Sequence, residues 1–481
     1  MQFRGKNGRT RGAGRALLGI SLLLSGGAAV AQSSAAGAPE NILPPQVQSP
    51  AKSPVPAPSP VPTQPASQPA QAPVAVPTEP SIPAVPVAPA IDPVMTWSLE
   101  NAQALVGVIA QIGAHGLVPA DYQLADLRAA ILAGPGAALD AQASRSFTWL
   151  VEDMRDGRTR MDARHQWFVV DPDVEASPTE TVMAQALASG DIAGAVEALA
   201  PTHPDYAVLR AQLAATPAAS KATRDLLRVN LDRWRWMPRD LGKAYLLTNV
   251  PEFQLRLTVD NEIIRSYRTI VGKPGRTATP QLAEVVEGVI FNPTWTVPQS
   301  IVKGEGLGAE LLANPARAAR ENYKVTKAKD GTIYVVQQPG PKNALGMMKL
   351  DMPNEHAIFL HDTPSRHLFN QTSRALSHGC IRTERALELA ITMGILGGGL
   401  SKEQAVEIVK SAQYTRVPMT RTFPVYLTYF TMASDISGKL GQFNDLYGRD
   451  APVLAALNAP RQPWDGKRKS TEAIIQLDNP L

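Results

Sequence analysis

A chain with a single cysteine must fold without an internal disulfide, so packing and hydrogen bonding have to hold it together. That cysteine, Cys380, sits in Ser377-His378-Gly379-Cys380-Ile381-Arg382. The N-terminus reads as an export signal, and exported chains normally pair their cysteines or carry none. Residues 1–31 open on Arg4, Lys6, Arg9, Arg11 and Arg15 with no acidic residue among them. An apolar run over 16–30 follows, and Ala29-Val30-Ala31 supplies a small-x-small cleavage site. The run is short against the roughly 20 residues of a membrane span, so cleavage is the expectation and a retained anchor the alternative. The expected location is the periplasm or cell envelope. A lone thiol kept there, with a histidine two positions before it, is most economically a reactive one.

The formal net charge is +4, from 47 basic and 43 acidic residues. Removal of the first 31 residues would leave about −1, so the charge offers no case for nucleic-acid binding. The basic cluster Lys467-Arg468-Lys469 reads as a small solvated patch. Residues 32–94 are dominated by Pro, Ala, Val, Gln and Ser. Such a composition cannot bury enough apolar surface to offset its ordering entropy, and it reads as a disordered linker. At about 3.1 Å per residue it would extend on the order of 150 Å, enough to reach through an envelope layer.

The remainder is long enough for two packed units. In 95–225 the spacing is helical. Ser98 is expected to cap a helix carrying Leu99, Ala102, Leu105, Val106, Ile109 and Ile112, ended by His115-Gly116 with His115 as a capping residue. Further helices are expected after Asp121-Tyr122 and around Phe147, Leu150 and Met154. No group there has catalytic or metal-ligand spacing, and the unit reads as a scaffold. Thr223 is predicted to cap a helix through Leu226, Leu227, Leu231 and Trp234, closed by Met237-Pro238. Beyond Pro238 the period becomes two. Leu255, Leu257 and Val259 alternate with polar residues, and Asp260-Asn261 turns into a strand over 263–271. Strand-like runs recur at 285–291, 333–337, 357–360 and 424–430, with a helix over 385–393. The fold class expected is α+β: a β-rich domain over 226–455 behind the helical unit, with a polar tail at 456–481.

A free cysteine, with an ordinary pKa near 8.5, needs help to attack a carbonyl at neutral pH. An imidazole can take its proton. Four of the seven histidines, His356, His361, His367 and His378, crowd the residues just before Cys380. His361 ends the 357–360 run, and the intervening stretch permits a loop that returns to it. Asp362 follows, and either its carbonyl or its side chain can orient the ring. His378 shares the turn with Cys380 and can shape a pocket. Gly379 allows close backbone approach. Amides around Gly379-Cys380, ahead of a helix expected near Thr383, are candidate oxyanion donors. Arg382 and Arg374 flank the cluster and suit a carboxylate-bearing peptide. Zinc held by Cys380 and two histidines is the metal alternative, but neither HExxH nor a paired CxxC is present. A buried inert cysteine is the bland one.

Residues 358–365 (Ile-Phe-Leu-His-Asp-Thr-Pro-Ser) and 377–382 together closely resemble the active-site signature of the YkuD-type L,D-transpeptidases. The likeness to the larger YcbB-like branch extends to 231–237, Val271-Gly272-Lys273, 292–298, 338–343, Leu345-Gly346, 426–429 and 445–450. It implies a β-rich catalytic domain with a lid insertion at about 300–336, behind a mostly helical scaffold domain. It also implies Cys380 as nucleophile, His361 as general base and the Asp362 carbonyl as its orienter. By the same resemblance His378, Gly379 and Arg382 would line the substrate and oxyanion site; Ser377 matches the motif without needing a chemical role, and Arg374 is counted with them for its flanking position. Peptidoglycan stem peptides are the implied partner, 3→3 cross-links the product and carbapenems acylating inhibitors, with no cofactor or metal. Delivery of the same acyl group to water, a free D-amino acid or a protein amine is the second reading. A non-catalytic wall-binding scaffold is the third. Relatives in this branch commonly carry a peptidoglycan-binding module before the 231–237 segment. Here 201–225 is too short for one, so wall engagement is expected through scaffold, lid or linker.

Overall fold

The computed structural model describes residues 93–170 and 176–472. The export-signal reading and nearly all of the Pro-rich segment lie outside the described residues, as does the chain from 473 onward.

The first half is helical. Ser98 caps the helix Leu99–Gln111, accepting from the Asn101 amide at 3.1 Å. Ala102, Leu105 and Ile109 turn inward to share a core with Tyr122, Phe147 and Leu150. Helices Leu124–Ala133, Ala137–Asp156, Thr179–Ser189, Ile192–Glu197 and Pro204–Ala215 complete this unit. His115 does not act as a cap. The helix ends at Gln111, and the tight turn Ile112–His115 is closed by Gly116 in the left-handed region. The buried His115 ring meets the Tyr206 hydroxyl at 2.8 Å and Glu197 at 3.1 Å. Burial lowers its pKa to about 4, so this is a satisfied core histidine.

The helix Lys221–Arg235 joins the two halves, with Ser220 before it and Thr223 inside its first turn rather than at its cap. Fully buried Asp232 accepts from the Arg158 amide at 2.7 Å, the Thr159 amide at 3.0 Å and Trp236 Nε1 at 3.1 Å. Arg235 adds an ion pair at 3.1 Å. On the opposite side Arg233 reaches Asp450 at 2.6 Å. Every one of these buried charges has a countercharge, as burial demands.

The second half is built on β1 (Ala244–Asn249), β2 (Gln254–Val259), β3 (Glu262–Gly272), β4 (Leu282–Val285) and β5 (Gly288–Phe291). There follow β6 (Trp295–Thr296), β7 (Tyr323–Lys327), β8 (Ile333–Gln337), β9 (Met348–Asp351), β10 (Leu360–His361) and β11 (Ala375–Ser377). Last come β12 (Ile381–Thr383), β13 (Thr415–Pro418), β14 (Pro424–Thr428), β15 (Met432–Ser434) and β16 (Leu440–Gln442). The main sheet runs β13-β5-β9-β10-β12-β3-β2-β1-β14-β4, with β11 pairing β3 alongside. The Asp260-Asn261 turn has positive φ at both residues, 48° and 64°, as a two-residue hairpin loop requires. Met348, Leu350, Leu360 and Ile381 form the sheet core with Leu389 and Met393 of the helix Ala386–Leu396.

Three expectations shift. The run 357–360 is mostly not strand, because Ala357 is left-handed (φ 52°) and the Asn354 side chain closes a turn on both the amide and carbonyl of Ile358. The run 285–291 divides into the end of β4 and β5. The helix expected near Thr383 begins at Ala386, since Arg382 and Thr383 are held in the ladder opposite Ile270 and Thr269.

Between β5 and β9 the chain builds a small subdomain, the sheet β6-β8-β7 carrying helices Gln299–Gly304, Leu307–Ala313 and Pro315–Arg320. After the helix Asp450–Asn458, the segment read as a solvated tail packs back on the scaffold. Arg461 is buried against Glu152 (2.5 Å) and Asp153 (3.2 Å), and Arg468 pairs with Asp156 at 3.3 Å. Three carboxylates at the end of the Ala137–Asp156 helix attract these cations, which composition of the tail alone does not reveal.

Candidate active site

Three neighbouring strands bring the candidate groups into one row. His361 on β10 lies opposite Lys349 on β9 and Arg382 on β12. Side chains alternate across a strand, so with Leu350, Leu360 and Ile381 in the core, Lys349, His361 and Arg382 take the other face. Cys380 precedes Ile381, and the Ile381 amide bonds the Phe359 carbonyl at 2.9 Å. By the same alternation Cys380 shares the face of Arg382 and lies diagonally adjacent to His361.

The His361 ring is buried, and its Nδ1 lies 2.5 Å from the backbone carbonyl oxygen of Asp362. A carbonyl only accepts, so Nδ1 carries the proton and Nε2 is left as the basic nitrogen. Burial first, then the positive charges of Arg382 and Lys349, lower the His361 pKa to about 3. Burial pushes the half-buried Cys380 thiol up, while a backbone hydrogen bond at Phe359, Lys349 and Arg382 pull it down. The resting pair is thus neutral thiol beside neutral imidazole. The Cys380 Sγ–H donates to the Ala357 carbonyl at 3.6 Å, an acceptor supplied by the left-handed turn that replaced the expected strand.

The Asp362 carboxylate does not orient the ring. It accepts from the Met347 amide at 2.9 Å and from Arg366 at 3.2 Å. Gly346, at φ 61°, lies where any Cβ would collide with that carboxylate, which gives the Leu345-Gly346 segment a physical reason.

The turn bearing Cys380 is pinned from both sides. Ser377 Oγ donates to the Cys380 carbonyl at 2.6 Å and accepts the Gly379 amide at 3.2 Å. Gly379 has φ 120°, and a Cβ there would come within 2.9 Å of Ile358. Its amide is engaged by Ser377, so of the two amides proposed as oxyanion donors Cys380 N–H is the better placed. Thr279 Oγ1 donates to the Gly379 carbonyl at 2.7 Å and accepts the Gly272 amide at 2.9 Å. Tyr447 Oη accepts the Thr279 amide at 3.2 Å and donates to the Gly272 carbonyl at 2.7 Å. The distant segments around Gly272 and Tyr447 therefore meet as the cradle of the turn.

Arg382 faces the row, and its Nε is buried with no hydrogen-bond partner among the described residues. His378 is more open, its Nε2 3.5 Å from Glu305 of the small subdomain. Arg374 is tied to the backbone: its three guanidinium nitrogens donate to the carbonyls of Thr269 (3.0 Å), Gln371 (3.0 Å) and Phe253 (3.1 Å). The sequence reading missed Lys349, Thr279 and Glu305. A signal for the first existed: a lysine inside the apolar stretch Met347-Met348-Lys349-Leu350.

Residues 243–408 match the YkuD family, described as the L,D-transpeptidase catalytic domain, and residues 93–213 match the scaffold domain family. The chain thus carries a YkuD-type L,D-transpeptidase catalytic domain behind a scaffold domain. A Haemophilus influenzae protein assigned to the L,D-transpeptidases is 30% identical over 259 residues, which make up 50% of this chain and 51% of that one. The chain spans about half the length of that curated relative. A solved L,D-transpeptidase from Mycobacterium smegmatis is 13% identical over 39% of this chain and 58% of its own, with a TM-score of 0.20. L,D-transpeptidase 1 of Mycobacterium tuberculosis gives 12% identity over 39% and 61%, with a TM-score of 0.18.

Proposed function

We propose that this protein is a cell-envelope L,D-transpeptidase that forms 3→3 peptidoglycan cross-links through an acyl-enzyme on Cys380. The observation that carries the reading is His361, held in one tautomer by the Asp362 carbonyl and set on the same strand face as the thiol. As Cys380 Sγ attacks the carbonyl of the third-position diamino acid of a tetrapeptide stem, its proton passes to His361 Nε2. The imidazolium then protonates the departing D-alanine amine, leaving a thioester. The side-chain amine of a second stem attacks that thioester, gives up a proton to His361 and releases the thiol. Cys380 N–H is the donor offered to the oxyanion, and the Arg382 guanidinium adds positive charge to the same site. The small subdomain, whose Glu305 lies 3.5 Å from His378, would serve as the lid over the substrate. The segment before residue 93, with its export signal and Pro-rich spacer, would carry this domain to the periplasmic wall.

Incubation of the purified protein with tetrapeptide-rich sacculi, digestion and mass analysis of the muropeptides tests this directly. Dimers linked 3→3 are expected, along with a stoichiometric carbapenem adduct that Cys380→Ala abolishes and His361→Ala slows by about 10²–10⁴-fold. Tripeptides without dimers would instead assign a carboxypeptidase, and an unchanged muropeptide profile would overturn the enzymatic reading.

A further inference from the structure

Lys349 sits inside the sheet rather than at its rim. It is 8% exposed, and its neighbours on β9, Met348 and Leu350, are fully buried. Its ammonium lies 3.7 Å from the centroid of the Phe359 ring. Phe359 is the residue whose carbonyl accepts the Ile381 amide, and the β10–β12 register, extended by one residue, sets it opposite Cys380. Among the described residues the ammonium makes no hydrogen bond or ion pair. Asp351, two positions along β9, is engaged by Arg416 at 2.5 Å. The Lys349 ammonium therefore shares the Asp351 carboxylate with Arg416, and that share and the ring contact offset only part of the cost of its burial.

The charged and titratable groups around this point are few. His361 faces Lys349 across β9–β10, Arg382 follows on β12, and Cys380 completes the set. His378 lies beyond, near Glu305 and Lys273. Asp351 acts on the ammonium too but is engaged by Arg416, so Cys380 is the group of this set that can become a new anion, and it and Lys349 act on each other electrostatically.

We propose that Lys349 is the built-in counter-ion of the Cys380 thiolate, a positioning residue whose ammonium over the Phe359 ring stabilises the sulfur anion as its proton leaves. The inference rests on Cys380 being the nucleophile. Arg382 supplies a second cation to the same sulfur. With both present, the neutral thiol–imidazole pair of the free enzyme converts to thiolate without a third proton carrier, because the developing negative charge meets a waiting positive one.

The chain's single cysteine makes the test specific, since any thiol adduct reports Cys380. The intact protein is alkylated with iodoacetamide across pH 6–11.5 and the adduct is followed by mass spectrometry. In Lys349→Met the midpoint of the pH–rate profile should rise by about one unit or more, and Lys349→Arg should restore it. The neutral-pH rate should fall about threefold, less than the loss of thiolate alone, because a more basic thiolate is also more nucleophilic. A purely structural role would not yield a profile that Arg rescues. Lys349→Gln carries the same expectation if the methionine variant fails to fold. An unmoved midpoint in the neutral variants, with unaltered thermal melting, would overturn the proposal. Haloacetamide needs no peptidoglycan, so a shifted profile without cross-linking would sink the functional reading alone, and cross-linking without a shift would sink this one alone.

Discussion

The helix Lys221–Arg235 and the β9–β10–β12 row both bury cations, and they do so in opposite ways. In the helix Arg233 meets Asp450 and Arg235 meets Asp232. In the row, Lys349 and Arg382 face a thiol and an imidazole; the carboxylate nearest Lys349 in the chain, Asp351, is bonded to Arg416 instead, and Arg382 Nε has no hydrogen-bond partner among the described residues. The helix gains rigidity by neutralising each charge, while the row stays incomplete until an anion arrives. Unneutralised burial is thus a better marker of reactivity than burial or charge separately.

The comparison would break most readily at Asp232. Asp232→Ala leaves Arg235 without its countercharge, and two backbone amides and Trp236 Nε1 without their acceptor, and should cost about 3–5 kcal/mol in denaturant unfolding. Lys349→Met removes a buried charge that makes no direct ion pair among the described residues and should cost far less, or stabilise. Equal losses from the two variants would erase the distinction. A smaller effect sharpens it through acid. The folded pKa of His361 lies near 3, below its ordinary 6.5, so its contribution to stability is complete above pH 6.5 and is lost as pH falls toward 3. Between pH 7 and pH 5 the wild type should therefore lose about 2 kcal/mol more than His361→Gln, measured by urea unfolding. Identical slopes would mean that the ring is not held neutral among cations. The smallest effect belongs to the half-open Glu305–His378 pair. Glu305→Gln should alter stability by less than about 1 kcal/mol and carbapenem acylation by no more than a few-fold. A large loss there would show that exposed pairing also governs the site.

How much of this was readable from sequence differs by element. The hairpin at Asp260-Asn261 was legible because period-two strands and a left-handed turn leave local marks. The helix cap at Ser98 was legible for the same reason. The residues of the site were named by a local motif, but their partners were not. Arg374 stood near Cys380 in sequence and looked like a substrate ligand, yet its donors are committed to backbone carbonyls of β3 and two loops. Lys349 stood thirty-one residues away, and only the β9–β10 register brings it beside the row. The Ala357 bend was hidden too, since a strand-like composition there is overridden by the Asn354 side chain. Non-local pairing decides each of these cases, and a single sequence carries little trace of it.

One helix of the scaffold receives both the first and the last described segments. The Met95 and Trp97 amides bond Ser144 and Asp140 near one end of Ala137–Asp156, and Arg461 and Arg468 clasp Glu152, Asp153 and Asp156 at the other. Those anchor points lie only about 25 Å apart along the rod. A pull reaching Met95 and Trp97 would therefore load a single stiff strut fastened toward both extremities before it loaded anything else.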